Sequence, residues 1–145
     1  MKPVSQKTET QSLQSLLDAR WIRKRYLPRA INIIGVHIQQ DVIDDIGSLL
    51  QVSRITLLEF CGVTILVKRL LYAFGHNVFN AFVGCIIFLN RLCNDDNPIS
   101  LRIYSKMFEI PTHELDILQL ICACGRGSSI ITNEELCDTW ETLTK

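Results

Sequence analysis

Gly84-Cys-Ile-Ile-Phe-Leu-Asn-Arg-Leu-Cys-Asn-Asp-Asp96, followed after a short turn by Ile103-Tyr-Ser-Lys-Met-Phe-Glu-Ile-Pro-Thr-His-Glu-Leu-Asp-Ile-Leu-Gln119, decides how this chain is read. The first stretch ends an apolar run that begins at Val78 and closes in a basic residue, Arg91, and an acidic turn. Apolar residues fill nearly every side of that run. A helix with no polar face to give to water belongs in the middle of a bundle. The second stretch holds a short helix or extended piece over 100–109. Pro111 and Thr112 then open another helix, with Asp116 near its first turn. That helix is expected to reach Cys124 and end at Gly125, since glycine readily takes the left-handed C-cap.

Working toward the N-terminus, a long helix is predicted over 54–74, broken by Gly75-His-Asn77, with Asn77 as a cap for the next element. Residues 36–50 form a further helix, with Ile38, Val42, Ile43, Ile46, Leu49 and Leu50 on one side. Gln51-Val-Ser53 is its turn, with Ser53 as the expected cap of the helix that follows. Leu13, Leu16, Leu17, Trp21 and Leu27 recur at helical spacing over 11–27, and Pro28 is expected to stop or bend that helix. At the other end Thr132-Asn-Glu-Glu135 has capping-box spacing and opens a last helix over about 133–143. β-branched residues in 31–38 and 130–132 invite a strand, but the long periodic segments decide against a sheet. The expected organisation is a flexible tail (1–10), a basic N-terminal helix (11–29) and one all-α helical domain (30–145).

Composition agrees. Of 145 residues, 48% are hydrophobic and 21% charged, which suits one globular domain with a real core. Seven Gly and four Pro are too few for a many-turned β sandwich. Fifteen basic residues balance fifteen acidic ones, so bulk charge gives no reason to expect a nucleic-acid protein. The longest apolar runs are about half a membrane span, and no membrane association is expected. The N-terminus is polar and has no secretory h-region, so the six cysteines are expected as reduced thiols in cytoplasm or nucleus.

Cys61, Cys85, Cys122 and Cys124 sit among Val, Ile, Leu and Phe, as small buried hydrophobes do. Cys122-Ala-Cys124 lacks the spacing of most zinc pairs, and no nearby His completes a site. His37, His76 and His113 are far apart, with no nucleophile or acid at family-like spacing. No Gly-rich phosphate loop is present, and Gly125-Arg-Gly127 follows a helix instead of opening one. Nothing points to an enzyme, a metal or a cofactor. Arg20, Arg23, Lys24, Arg25 and Arg29 make the most basic part of the chain, either a solvated helix face or a patch for an acidic partner.

The order of these segments resembles a cyclin box, most closely the small cyclins of the phosphate-regulation type. Residues 36–46 resemble the family's first helix, and Thr64-Ile-Leu-Val-Lys-Arg-Leu70 stands where the family reads "Leu-Ile-Tyr-Ile-Asp-Arg-Leu". Phe88-Leu-Asn-Arg-Leu-Cys-Asn-Asp95 answers to "Leu-Ala-Ser-Lys-Phe-Leu-Asp-Asp", and Tyr104-Ser-Lys-Met-Phe-Glu-Ile110 to "Tyr-Ala-Lys-Val-Gly-Gly-Ile". His113-Glu-Leu-Asp-Ile-Leu-Gln119 answers to "Lys-Glu-Leu-Asn-x-Leu-Glu". The resemblance covers about residues 30–140 and is most specific from Phe88 to Leu120.

The resemblance implies a five-helix cyclin-box bundle with an extra N-terminal helix. It implies a regulatory subunit that binds a cyclin-dependent protein kinase and biases its active conformation. The kinase contact would fall on Arg91, Gln119 and Leu92, with apolar help from Leu136 and Trp140. Two departures matter. The family's Lys becomes Arg91, which keeps the charge and gains a planar donor fork. The family's Glu becomes Gln119, which accepts a hydrogen bond but carries no charge. A third departure pairs Asp45 with Lys68, where cyclins place these signs the other way round; both also read as solvated surface charges. The neutral Gln119 leaves a second reading open: a cyclin-fold adaptor, as in general transcription factors, that binds protein or nucleic acid without a kinase.

Overall fold

The computed structural model describes residues 25–93, 99–124 and 131–144. Seven α-helices account for most of them: α1 (Leu27–Ile34), α2 (Gln40–Val52), α3 (Leu57–Leu70), α4 (Val78–Cys93), α5 (Leu101–Phe108), α6 (Thr112–Cys124) and α7 (Asn133–Thr144). A 3-10 turn, Leu71–Phe74, follows α3, and the described residues form no strand element. The all-α expectation holds.

Local sequence explains where several helices begin. Thr56 and Glu59 form a capping box: the Glu59 N–H donates to the Thr56 hydroxyl (3.1 Å) and the Thr56 N–H to the Glu59 carboxylate (2.9 Å). Ser53 is therefore not the cap of α3. Its hydroxyl donates to the Leu49 carbonyl (2.6 Å) and closes α2 instead. Asn77 and Thr132 do cap as expected, accepting from the N–H groups of Asn80 (3.0 Å) and Glu135 (3.1 Å). Gly75, at φ 65°, ends the 3-10 turn where a side chain would be strained.

Pro28, expected to stop or bend a helix, does not stop one: residues 25–26 before it are already helical. It lies in the first turn of α1, where its fixed φ suits the helix and its missing N–H leaves no bond unmade. The expected helix over 11–27 falls mostly outside the described residues, as does the tail over 1–10. The expected boundary at 29/30 runs through α1. That helix buries Leu27, Ala30, Ile31 and Ile34 in the common core, so it is part of the domain rather than an addition to it.

α4 and α3 form the interior. Ala81, Phe82, Val83, Cys85, Ile86 and Ile87 of α4 are all essentially inaccessible to water, as the all-round apolar pattern requires. α4 packs against α2, α3 and α6, and α3 packs against α1, α4 and α7. Leu89 of α4 lies near Gly62 of α3, so these neighbours run antiparallel across the 3-10 turn. α2 runs parallel to α4: its start and that of α4 line one cleft, and Ser53 at its end accepts from the Asn90 amide (3.2 Å). α5 returns from the far end of α4, where the Ile99 N–H donates to Asn90 (3.0 Å), to the near end, where the Phe108 ring meets Phe79 (centroids 5.6 Å apart). α6 then climbs beside α4 in the same direction.

Candidate functional site

Among the described residues, the seam between α4 and α6 is the most extensive helix contact. A Cβ at Gly84 would sit 2.8 Å from the Leu118 carbonyl oxygen and equally near the Phe74 ring. Only glycine lets the two backbones meet this way. One residue on, the Cys122 thiol donates to the Cys85 sulfur across 3.6 Å. Arg91 lies seven residues after Gly84, on the same face of α4 and in its last turn. Gln119 follows Leu118 in the middle of α6. Both therefore border this seam, about 10 Å apart along it at 1.5 Å per residue. A helical side chain leans toward its own N-terminus, which carries Arg91 back along the seam toward Gln119.

Both residues are half-buried, and each keeps a buried polar atom without a hydrogen-bond partner among the described residues: Arg91 Nε and Gln119 Oε1. Such orphans are few in folded proteins, and each one calls for a physical reason. The same helices and α5 also expose apolar side chains. Leu92, Ile117 and Leu120 are each more than half exposed, and Ile103 and Met107 of α5 nearly so. α6 thus has apolar side chains on both faces: Leu115 and Cys122 turn into the core, while Ile117 and Leu120 meet solvent.

A buried polar hub sets the end of α4. The Tyr104 hydroxyl donates to the Ser53 hydroxyl (3.1 Å), Asn90 donates to the Ser53 carbonyl, and Asn90 also accepts from Ile99. This ties α2, α4 and α5 together one residue before Arg91. Burial raises the Tyr104 pKa, opposed by the Ser53 hydrogen bond and by the Arg91 charge nearby. Sequence reading missed this hub, since its members lie 37 and 51 residues apart along the chain.

The remaining expected site residues fare differently. Leu136 and Trp140 pack against the core on the α3 and α1 side, so α7 does not present them as a free apolar surface. Arg29 is not free for a basic patch: it donates to the Leu143 carbonyl at the end of α7 (2.6 Å), where a cation also suits the helix dipole. Arg25 is half-buried, and Arg20, Arg23 and Lys24 lie outside the described residues. Asp45 and Lys68 are both exposed and form no ion pair among the described residues. Cys124, expected to be buried, is exposed at the end of α6, because it lies opposite the inward-facing Cys122. Cys61, Cys85 and Cys122 are buried as expected, and burial pushes the Cys61 thiol up to about 12.

His37 and His76 line an open cleft of about 450 Å³ with Asp45, Val42 and Phe79, at the starts of α2 and α4. His113 is exposed on α6. No described helix is long and apolar enough to cross a membrane. No cluster of three or more His, Cys, Asp or Glu suited to a metal occurs among the described residues. Compared with known proteins, the chain matches no family model, no curated protein and no solved structure.

Proposed function

We propose that this chain is a cyclin-like regulatory subunit that docks the α4–α6 seam on a cyclin-dependent-type protein kinase and favours the kinase's active arrangement. The observation that carries the reading is the pair of orphaned buried atoms, Arg91 Nε and Gln119 Oε1, on helices that also expose Leu92, Ile117 and Leu120. A donor and an acceptor kept half-buried without partners destabilise the free protein by about 1–3 kcal/mol each. A partner that meets them removes that cost and can cover the exposed apolar side chains at the same time, as interface centres do. Further support comes from the packing of the helices. An apolar α4 packed against α2, α3 and α6 suits the middle helix, apolar all round, on which the cyclin-box resemblance rests.

The subunit acts as a ligand that prefers one kinase conformation, so its effect is limited by its difference in affinity for the two. Arg91 donates to partner carbonyl oxygens, and Gln119 accepts from a partner donor. Neither role needs a charge at position 119. The test is co-purification with cyclin-dependent kinases, comparing the wild-type chain with Arg91→Ala. Binding that falls about 10–100-fold, with no loss in melting temperature, supports the reading. Wild-type binding to no such kinase, or equal binding by both chains, overturns it.

A further inference from the structure

Cys85 and Cys122 sit sulfur to sulfur at 3.6 Å in the α4–α6 seam, both with no accessible surface. Gly84, next to Cys85, and Leu118, one turn before Cys122, already bring the two backbones close together. A disulfide needs the sulfurs to close from 3.6 Å to about 2.05 Å. The two residues are 37 apart in sequence, and the chain between them includes all of α5. A bond there would staple α6 to α4. Cys124 and Cys137, by contrast, are exposed, on α6 and α7.

We infer that Cys85 and Cys122 form a dithiol that closes to a disulfide under oxidising conditions and locks α6 onto α4. A small disulfide such as oxidised glutathione serves as oxidant. One cysteine thiolate attacks it, releasing one reduced thiol and leaving a mixed disulfide. The second cysteine then displaces the other reduced thiol. Two electrons and two protons leave the protein, and one external disulfide becomes two thiols. The hydrogen bond to Cys122 and burial both hold Cys85 as a thiol, well above its ordinary pKa. Attack therefore waits for α6 to lift, and the oxidation rate should level off as oxidant is raised. Once closed, the bond fixes Gln119, one turn before Cys122, against α4. The inference does not depend on the kinase reading, because it is measured on the isolated chain.

The test uses the full chain carrying Cys93→Ala, Cys124→Ala and Cys137→Ala, which leaves Cys61, Cys85 and Cys122 as the only thiols. It is incubated with oxidised glutathione at temperatures approaching its melting point, then denatured and weighed before and after alkylation. The expected product carries two fewer alkyl groups than the reduced chain, is lighter by about 2 Da when weighed before alkylation, for the two hydrogens lost, and yields a linked peptide joining residues 85 and 122. Its melting temperature rises by roughly 10 °C and returns with dithiothreitol. Adding Cys122→Ser abolishes the linked peptide and the rise. Cys85 and Cys122 still fully alkylated after this treatment, or a linked peptide that joins other cysteines, would overturn the inference.

Discussion

The two flanks of the interior differ in what they leave unpaired. On the α1–α3–α7 flank several polar groups find partners within the chain. Arg29 closes the end of α7, Arg69 pairs with Glu135, Glu135 completes the Thr132 capping box, and Leu136 and Trp140 lie against the core. On the α4–α6 flank Arg91 and Gln119 keep orphaned atoms, and Leu92, Ile117 and Leu120 face water.

The contrast can be broken at its tightest point. Gly84→Ala should destabilise by about 2–3 kcal/mol, because its Cβ meets a backbone carbonyl that cannot move aside. Gly62→Ala, in α3, should be nearly neutral: its Cβ lies 3.3 Å from the flexible end of Leu89, and alanine favours the helix by about 1 kcal/mol. Paired denaturant melts of the two variants would show whether the seam is as close as described.

Gln119→Leu sharpens the contrast most directly. Removing an orphaned buried acceptor should raise stability by about 1 kcal/mol while weakening partner binding about tenfold. A loss of stability would mean that Gln119 has a structural role. On the other flank, Arg29→Met removes the charged cap of α7 and keeps most of the aliphatic stem. It should cost about 1 kcal/mol in chemical denaturation and leave partner binding unchanged.

The smallest effect concerns acid. Its hydrogen bond with Arg69 holds the Glu135 carboxyl below its ordinary value of 4.5. A carboxylate depressed in the folded state adds stability above the unfolded pKa and loses it as pH falls through the lower folded value. Stability measured from pH 6 downward should therefore start to lose this contribution near 4.5. Arg69→Ala should flatten that part of the profile, and an unchanged slope would show that the pair does not act in solution.

Much of the fold was legible because it depends on neighbours in sequence. The apolar run of α4, the break at Gly75 and the caps at Asn77 and Thr132 are all short-range effects of sterics, periodicity and orphaned backbone groups. The Thr56–Glu59 box had the same readable spacing, and Pro28 was readable as a first-turn helix residue as well as a stop. Candidate residues Arg91 and Gln119 came from a resemblance, and nothing in their local sequence says that their polar atoms go unpaired.

The amino-acid order alone determined an all-helical chain with one helix too apolar to lie at the surface, since the preference of a segment for water is written in its own side chains. Tertiary structure decided which charges are used internally and which are left over. Arg29 meets Leu143 across 114 residues, and Tyr104 meets Ser53 across 51. Contacts of that range are set by how the helices pack against one another, and no local pattern encodes them.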